Sequence, residues 1–435
     1  MDIFMRVIFW LNLVGTAVFG ICYFYQLVYT IIAICVKKKP HKGEATLHSY
    51  AVLVSARNEE TVIGQLIDNI RAQNYPQELI KIFVVADNCT DGTAEVARER
   101  GATVYERHNT EEIGKGYAIN FLLSNIDRDY GENAFDAFFV FDADNISELN
   151  FISEMNKTFS DGYDVVAGFR NAKNYGDNWL SAGQGLWFIR DSTILNDARM
   201  KIGTCSVVAG TGFMFSNKIK KEYGGWPFHM LTEDTEFTAC SAARGYRFGY
   251  CPDAAFYDEQ TTGFVQSWNQ RIRWAKGGIQ VFCGYLKKLF SGMKNGNFLS
   301  CFDLLMSIAP AYIMSVFFMV VNIVALAVTA FSPSHFLSMI ASAGSSIVAV
   351  YLLLLLHAAL TVGKEWKRIK AGTGWKMLSI FLFPIYMFTY VPIAFCAFFA
   401  KAQWKPIRHT KAVNIDDMHK DSAAATEKPE EAARH

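Results

Sequence analysis

Four apolar runs long enough to cross a bilayer bracket one long polar stretch, and this division limits the possible folds more than any other feature of the chain. The runs occupy residues 7–36, 302–331, 336–362 and 377–400. Each meets the requirement of about 20 mainly apolar residues for a spanning helix. The first is longer than the ~7–15 residue core of a secretory signal, and no small-residue cleavage site follows it, so a retained membrane helix is expected. Lys37, Lys38, Lys39 and Lys42 follow directly. Because basic flanks stay on the cytosolic side, the polar stretch is expected inside the cell and the N-terminus outside. Lys364, Lys367, Arg368, Lys370 and Lys376 mark a second cytosolic loop by the same rule. Lys401, Lys405, Arg408 and Lys411 argue for an inside tail, which conflicts with a single final crossing. Pro384 and Pro392 divide the last run, so a broken or re-entrant hairpin is expected there. Residues 405–435 form the tail, and from residue 416 onward their composition lacks an apolar period and reads as disordered.

The chain has 435 residues, 51% hydrophobic and 14% aromatic, with a formal net charge of +1. That is too apolar for one soluble domain, and the near-neutral balance lacks the dense basic stripe of a nucleic-acid binder. None of the nine cysteines forms a Cys-x-x-Cys pair, and Cys22, Cys35 and Cys396 fall inside apolar runs. Neither a disulfide framework nor a zinc site is indicated, which agrees with a reducing compartment.

Within the polar stretch, residues 50–55, 81–86 and 137–141 read as buried strands. Val62, Ile63, Leu66, Ile67 and Ile70 mark one face of an intervening helix. This alternation predicts an α/β nucleotide-binding sheet inserted between membrane helices. The expected division is a membrane helix and basic flank at 1–42, an α/β domain at 43–260, an interfacial region at 261–300, a membrane region at 301–404 and the tail. In such sheets ligands collect beyond the C-terminal strand ends. The loops Ser55–Glu59, Asp87–Gly92 and Asp142–Asp144 all fall there. Asp142 and Asp144 flank the small Ala143, and two carboxylates at a strand end suit a hard divalent cation such as Mg2+ or Mn2+ that also takes diphosphate oxygens. An Asp-rich turn with no ligand is the plain alternative.

Asp87, Asp142-Ala143-Asp144, Thr232-Glu233-Asp234 and Gln270-Arg271-Ile272-Arg273-Trp274 occur in that order. The ordered set resembles the membrane-integrated family 2 glycosyltransferases with a GT-A, Rossmann-like catalytic domain, the group that contains cellulose, chitin, hyaluronan and poly-N-acetylglucosamine synthases. The likeness extends over residues 46–404. It implies that Glu59 and Asp87 hold the uridine of a UDP-sugar and that Lys115 lies near the nucleotide. It further implies that Asp142 contacts nucleotide and metal, with Asp144 as metal ligand. Ala86 stands where many members carry a second Asp, so the base contacts differ in detail.

Asp234 is then the implied catalytic base, with Glu233 beside it, since inverting transfer needs a group on the acceptor face to take the hydroxyl proton. The bland reading of Thr232-Glu233-Asp234 is a helix start, with Thr232 as cap and an acidic first turn. Arg273 suits a diphosphate leaving group and Trp274 the apolar side of a sugar ring, with Gln270 orienting the pair. By pattern alone this region is a basic amphipathic helix whose apolar face carries Phe264, Trp268, Ile272, Ala275, Ile279, Phe282 and Leu286. Gly210, Thr211 and Gly212 resemble the loop under the acceptor, though a strand-end turn explains them equally. Trp226 reads as a core residue before a sugar platform.

The reading that results is an inverting, metal-dependent transferase that extends a β-linked polysaccharide from UDP-sugar at the cytosolic membrane face, glucose and N-acetylglucosamine being the leading donors. Transfer of a single sugar to a lipid acceptor, such as a polyprenyl phosphate or diacylglycerol, stays open. So does an inactive sugar-nucleotide sensor or transporter. Cysteines placed at Lys42 and Lys370 are expected to react with impermeant reagents only from the cytosol. Labelling of either from outside sealed cells contradicts the arrangement.

Overall fold

The computed structural model describes residues 2–38, 40–41, 43–308, 310–401, 411–415 and 417–418. Lys39, Lys42, Lys405, Arg408 and nearly all of the expected tail lie outside the described residues.

Eight strands form one mixed sheet: β1 (Tyr50–Ala56), β2 (Ile80–Asp87), β3 (Thr103–Arg107), β4 (Ala137–Asp142), β5 (Ile146–Ser147), β6 (Val165–Ala172), β7 (Phe213–Ser216) and β8 (Phe248–Asp258). Their order is β3-β2-β1-β4-β7-β6-β8-β5. The first four run parallel, β7 lies antiparallel to both its neighbours, β8 runs parallel to β6, and β5 caps the edge antiparallel. The strands expected at 50–55, 81–86 and 137–141 are β1, β2 and β4, each longer by a residue or two.

Their uninterrupted apolar sequences follow from burial on both faces. Val52, Val54, Phe139 and Phe141 pack on one side with Ile63, Leu66, Ile67 and Ile70 of the helix Ile63–Arg71, the face expected from sequence. Ala51, Leu53, Phe138 and Val140 pack on the other with Ala118, Ile119, Leu122 and Ile126 of the helix Lys115–Tyr130. Ser55 pairs with Val85 on β2 and with Asp142 on β4, so the C-terminal ends of the three strands lie level along one edge of the sheet.

Among the described residues, four helices are long and apolar enough to span a membrane: Asp2–Cys35, Pro310–Thr329, Pro333–Lys364 and Thr373–Phe399. Two expectations change here. The run at 302–331 is two helices, because Phe298–Ile308 buries Cys301, Leu304, Leu305 and Ile308 in the core of the α/β domain before the span Pro310–Thr329 begins. The last run breaks at Thr389, at neither proline, into the helices Thr373–Phe388 and Tyr390–Phe399. Pro384 sits within the first of these, and the two pieces together make one 27-residue candidate span.

This last span leans on the sheet domain: 39% of its apolar window is buried, against 6% for each of the other three. The contact is close because Gly183 has no side chain; a Cβ there would lie 2.5 Å from the Tyr386 ring. Tyr175 also donates to the Ser379 hydroxyl at 2.8 Å.

Charge pairs tie the domain to the other helices. Arg199 donates to both carboxylate oxygens of Asp303 at 2.7 and 2.8 Å, with both side chains only 3% exposed. Tyr29 donates to the same carboxylate at 3.2 Å. Lys364 reaches Asp197 at 3.1 Å and the Ala33 carbonyl at 3.2 Å. A buried ion pair adds modest net stability, but removing one partner strands the other charge away from water. Asp303→Asn is therefore expected to destabilise the detergent-purified protein by ~3–5 kcal/mol in thermal unfolding, and Arg199→Met combined with Asp303→Leu to recover most of that loss. An unchanged midpoint in Asp303→Asn contradicts this account.

Candidate active site

The β1 and β2 loops are stapled together before any ligand is considered. Asn58, in a left-handed conformation (φ 58°), accepts from the Thr90 amide through its side-chain oxygen at 2.8 Å. The Glu59 amide donates to the Thr93 hydroxyl at 2.8 Å. Asp87, buried at the end of β2, accepts from Arg107 at 2.8 Å and from the Asn88 side chain at 3.1 Å. Arg107 also donates to the Glu112 carbonyl at 2.8 Å, which fixes its guanidinium. Arg107 escaped sequence reasoning. Its one signal is its place as the last residue of a strand beside β2, known only once the strand order is known.

At the end of β4, the Asp142 amide donates to the Thr211 hydroxyl at 2.9 Å. Lys115 bridges the Asp142 carboxylate and the Gly210 carbonyl, the latter at 2.7 Å. Asp142 and the Gly210–Gly212 loop are thus joined through one ammonium group. Gly212 has no substitute there: its φ is 62°, and a Cβ would lie 2.1 Å from the Phe256 ring. Asp144 is buried and held from behind. One oxygen accepts the Glu259 amide at 2.8 Å, the other the Asn145 side chain at 3.2 Å, and Lys173 donates to its backbone carbonyl. Among the described residues no three His, Cys, Asp or Glu side chains are grouped to hold a metal. Asp142 and Asp144 therefore fit a hard cation whose coordination is completed by oxygens of a bound ligand, a donor set usual for Mg2+ beside phosphates.

Thr232-Glu233-Asp234 opens the helix Glu233–Arg244. Thr232 stands at the N-cap position before an acidic first turn, as the helix-start reading expects, but its hydroxyl makes no cap bond and is buried without a partner among the described residues. It lies instead against the helix Phe264–Lys294, where a Cβ on Gly277 would come within 2.6 Å of the Thr232 methyl carbon. Asp234 accepts from the Thr235 amide at 2.7 Å. Its other oxygen adjoins Gly210, 3.4 Å from where a Cβ would stand. Burial raises the Asp234 carboxyl above the usual range. Burial and then the charge of Asp234 push Glu233 up to about 7, with Lys115 and Arg273 opposing. Burial also pulls on the Arg273 guanidinium, which Glu233, Asp234 and Asp142 hold in its charged form.

Glu236, unnoticed in the sequence, organises this region. One of its oxygens accepts the His229 and Met230 amides at 2.8 and 2.9 Å, and the other accepts the Tyr285 hydroxyl at 2.8 Å. Gly116 completes the junction, because a Cβ there would sit 1.9 Å from the Phe228 carbonyl oxygen.

On the helix Phe264–Lys294 the Gln270 side chain accepts from Gln184 at 3.2 Å. Trp274 meets Phe188 edge to face at 5.8 Å. The Arg170 guanidinium lies 3.5 Å from the centre of the Phe188 ring, bonds to Asp258, and donates to the Ala209 carbonyl at 2.8 Å. Of the expected apolar face, Ala275 is buried and Trp268, Ile272, Ile279, Phe282 and Leu286 pack partly buried against the core, while Phe264 is 50% exposed. The most deeply buried positions add Ser267, Arg271, Gly277, Gly278, Val281, Tyr285, Leu289 and Gly292. Small and charged residues line the contact because the neighbouring helices approach closely, and a hydrophobicity pattern does not register that. Arg271 is fully buried, 4.6 and 5.2 Å from the Tyr386 and Tyr390 rings, and bonded to Thr389. Trp226 is a core residue, packed against Phe213, Phe215, Phe228 and Phe237.

One cavity of about 1550 Å3 collects all the residues singled out from sequence: Glu59, Asp87, Lys115, Asp142, Asp144, Gly210, Thr211, Gly212, Glu233, Asp234, Gln270, Arg273 and Trp274. A family model described as "Glycosyltransferase like family 2" matches residues 48–277. The chain is 28% identical over 262 residues to a probable glycosyltransferase, YdaM, of Bacillus subtilis, covering 56% of this chain and 58% of that protein. It is 25% identical over 252 residues to a beta-monoglucosyldiacylglycerol synthase of Synechocystis, covering 56% and 51%. It is 25% identical over 305 residues to a poly-beta-1,6-N-acetyl-D-glucosamine synthase of Staphylococcus aureus, covering 68% and 69%. The first two matches thus span little more than half of those relatives. The fold is shared with the mannosyltransferase PcManGT of Pyrobaculum calidifontis, solved in complex with GDP-Man and Mn2+. The TM-score is 0.58 at 19% identity, over 90% of this chain and 99% of that one.

Proposed function

The chain belongs to the glycosyltransferase-like family 2, and we propose that it transfers a hexose with inversion from a UDP-sugar to an acceptor hydroxyl at the cytosolic membrane face, making a polysaccharide or a glycolipid. The observation that carries this reading is the meeting of Asp142, Lys115, Asp234, Arg273 and Trp274 in one cleft.

In this reading Asp87, with Arg107 holding its charge, and Glu59 receive the base and ribose end of the donor. Lys115 and Arg273 lie where the diphosphate leaves and offset the charge that develops on it. Asp142 and Asp144 would hold Mg2+ or Mn2+, an ion that neutralises diphosphate charge when bound. The acceptor oxygen sits between Trp274 and Asp234. As that oxygen bonds to the anomeric carbon, Asp234 takes its proton and the bond from that carbon to the diphosphate oxygen breaks, releasing UDP. Attack from the side opposite the leaving group inverts the configuration. Trp274, braced by Phe188, offers a flat apolar face at the acceptor side, which suits a sugar ring of a growing β-linked glycan and the glycerol end of a lipid alike. The relatives divide on this point, one being named for a polymer and another for a glucosylated diacylglycerol. Intact Asp142, Asp144, Asp234 and Arg273 speak against an inactive sensor.

Asp234→Asn is expected to leave UDP affinity unchanged and to lower turnover by ~10²–10⁴, the usual contribution of a positioned base. The working form of Asp234 is the ionised one, and its pKa is raised, so activity should be lost as pH falls through an apparent value above the ~3.9 of a free Asp. That value belongs to the Glu233–Asp234 pair jointly. A collapse of UDP affinity in Asp234→Asn, with normal residual turnover, would move this residue to the donor site. Asp144→Asn, and separately excess chelator on the unaltered protein, should each remove most activity while the thermal midpoint holds. Full activity in chelator contradicts the metal assignment.

A further inference from the structure

The cavity does not stop at the cleft. It continues among the membrane helices, where Phe24, Leu27, Met319, Ile347 and Val350 line it. Its far end is blind: Ile8, Ala325 and Met339 are 6%, 0% and 4% exposed and pack as one cluster beyond the last lining residues. A path that carried a polymer across the bilayer would need an opening there.

The sides of this inner half differ. Between the helices Asp2–Cys35 and Pro310–Thr329 the wall is sealed. Asn12 and Asn322 exchange side-chain hydrogen bonds at 3.2 and 3.1 Å, and the Phe318 ring fills the notch left by Gly15, where a Cβ would lie 2.1 Å from it. Between Asp2–Cys35 and Pro333–Lys364, hydrogen bonds join only the ends, Asp2 to His335 at 3.0 Å and Lys364 to the Ala33 carbonyl at 3.2 Å, among the described residues. In the middle, the lining residues Phe24 and Leu27 on one helix and Ile347 and Leu353 on the other are 62%, 46%, 57% and 53% exposed. The cavity is thus open sideways, where lipid chains lie.

Polar groups on the inner wall are largely spent. Asn12 and Asn322 bond each other, Tyr23 donates to the Met306 carbonyl at 2.8 Å, His357 bonds the Leu353 carbonyl at 2.8 Å, and Ser346 donates to the Ser342 carbonyl at 3.0 Å. A glycan threaded here would recover only part of the water bonds it loses, whereas a hydrocarbon chain loses none. The cations at the neck are likewise paired: Arg190 with Asp191, while also donating to the Gln26 side-chain oxygen, and Arg199 with Asp303. That leaves little for an anionic head and suits an uncharged one.

We propose that this inner half binds the acceptor itself, a neutral diacylglycerol-type lipid that enters between the helices Asp2–Cys35 and Pro333–Lys364 and presents its hydroxyl to Asp234. The proposal rests on the transferase reading above and names its acceptor.

The test uses the full chain in phosphatidylethanolamine–phosphatidylglycerol vesicles containing dioleoylglycerol or undecaprenyl phosphate, supplied with radiolabelled UDP-glucose or UDP-N-acetylglucosamine. The expected product is label in the organic extract of the dioleoylglycerol vesicles. No atom lies within 4 Å of a Cβ built on Gly20, so the ring in Gly20→Trp can occupy the gap. This variant should lower lipid labelling by roughly tenfold or more at unchanged UDP affinity. Leu13→Trp, on the same helix and outside the cavity lining, should leave labelling unchanged. Label on undecaprenyl phosphate alone, or in a water-soluble polymer made at full yield by Gly20→Trp, overturns the proposal and spares the transferase reading. Absence of UDP release in every vesicle overturns both.

Discussion

The bond between Glu236 and Tyr285 is the constraint on which the site depends. The sheet supplies one wall of the cleft and the helix Phe264–Lys294 the other, and their register is set where the helix Glu233–Arg244 touches the latter. Glu236 holds the backbone of His229 and Met230 with one oxygen and Tyr285 with the other. Gly277 lets the two helices approach until Thr232 lies in contact. A buried carboxylate is stable only when its bonds are satisfied, so this junction has one good geometry. Asp234 and Trp274, on separate helices, inherit their relation from it.

That proximity has an electrostatic cost with chemical use. Glu233 and Asp234 share the cleft; burial raises both carboxyls, and the charge of Asp234 raises Glu233 further. Lys115 and Arg273 oppose the rise. A site that gathers carboxylates and two cations is poised for a ligand that carries a diphosphate and needs a proton removed. A related balance is struck at the membrane seam, where Arg199 and Asp303 pair with each other.

Much of the site was legible because its chemistry depends on residue types at short spacing. Asp142 and Asp144 stand at the end of an apolar strand, and Thr232-Glu233-Asp234 and Gln270 to Trp274 are contiguous. What escaped notice were partners distant in sequence. Arg107 reaches Asp87 from a neighbouring strand, and Glu236 joins segments about fifty residues apart through a hydroxyl, a separation of 49 positions to Tyr285. The interfacial helix buries most of its expected apolar face, and its closest contacts were missed for a related reason. Its contact surface is made of Ser267, Arg271, Gly278 and Gly292, whose burial follows from close approach and from the Tyr386 and Tyr390 rings around Arg271.

The ordered motifs and the family they resemble pointed to the residues that gather in the cleft, and the amino-acid sequence alone determined three buried strands, the face of the helix Ile63–Arg71 that covers them and the membrane-length runs. These follow from local periodicity and from apolar length, which a chain carries wherever it folds. Tertiary structure alone decided that the last span breaks at Thr389 and leans on the sheet domain, that the Thr232 side chain packs against a neighbouring helix and makes no cap bond, and that the cavity continues between the membrane helices to a blind end. Each of these depends on how closely two distant backbones approach. That distance is set by glycines such as Gly15, Gly183 and Gly277 meeting bulky side chains elsewhere in the chain, a pairing that exists only once the fold has formed.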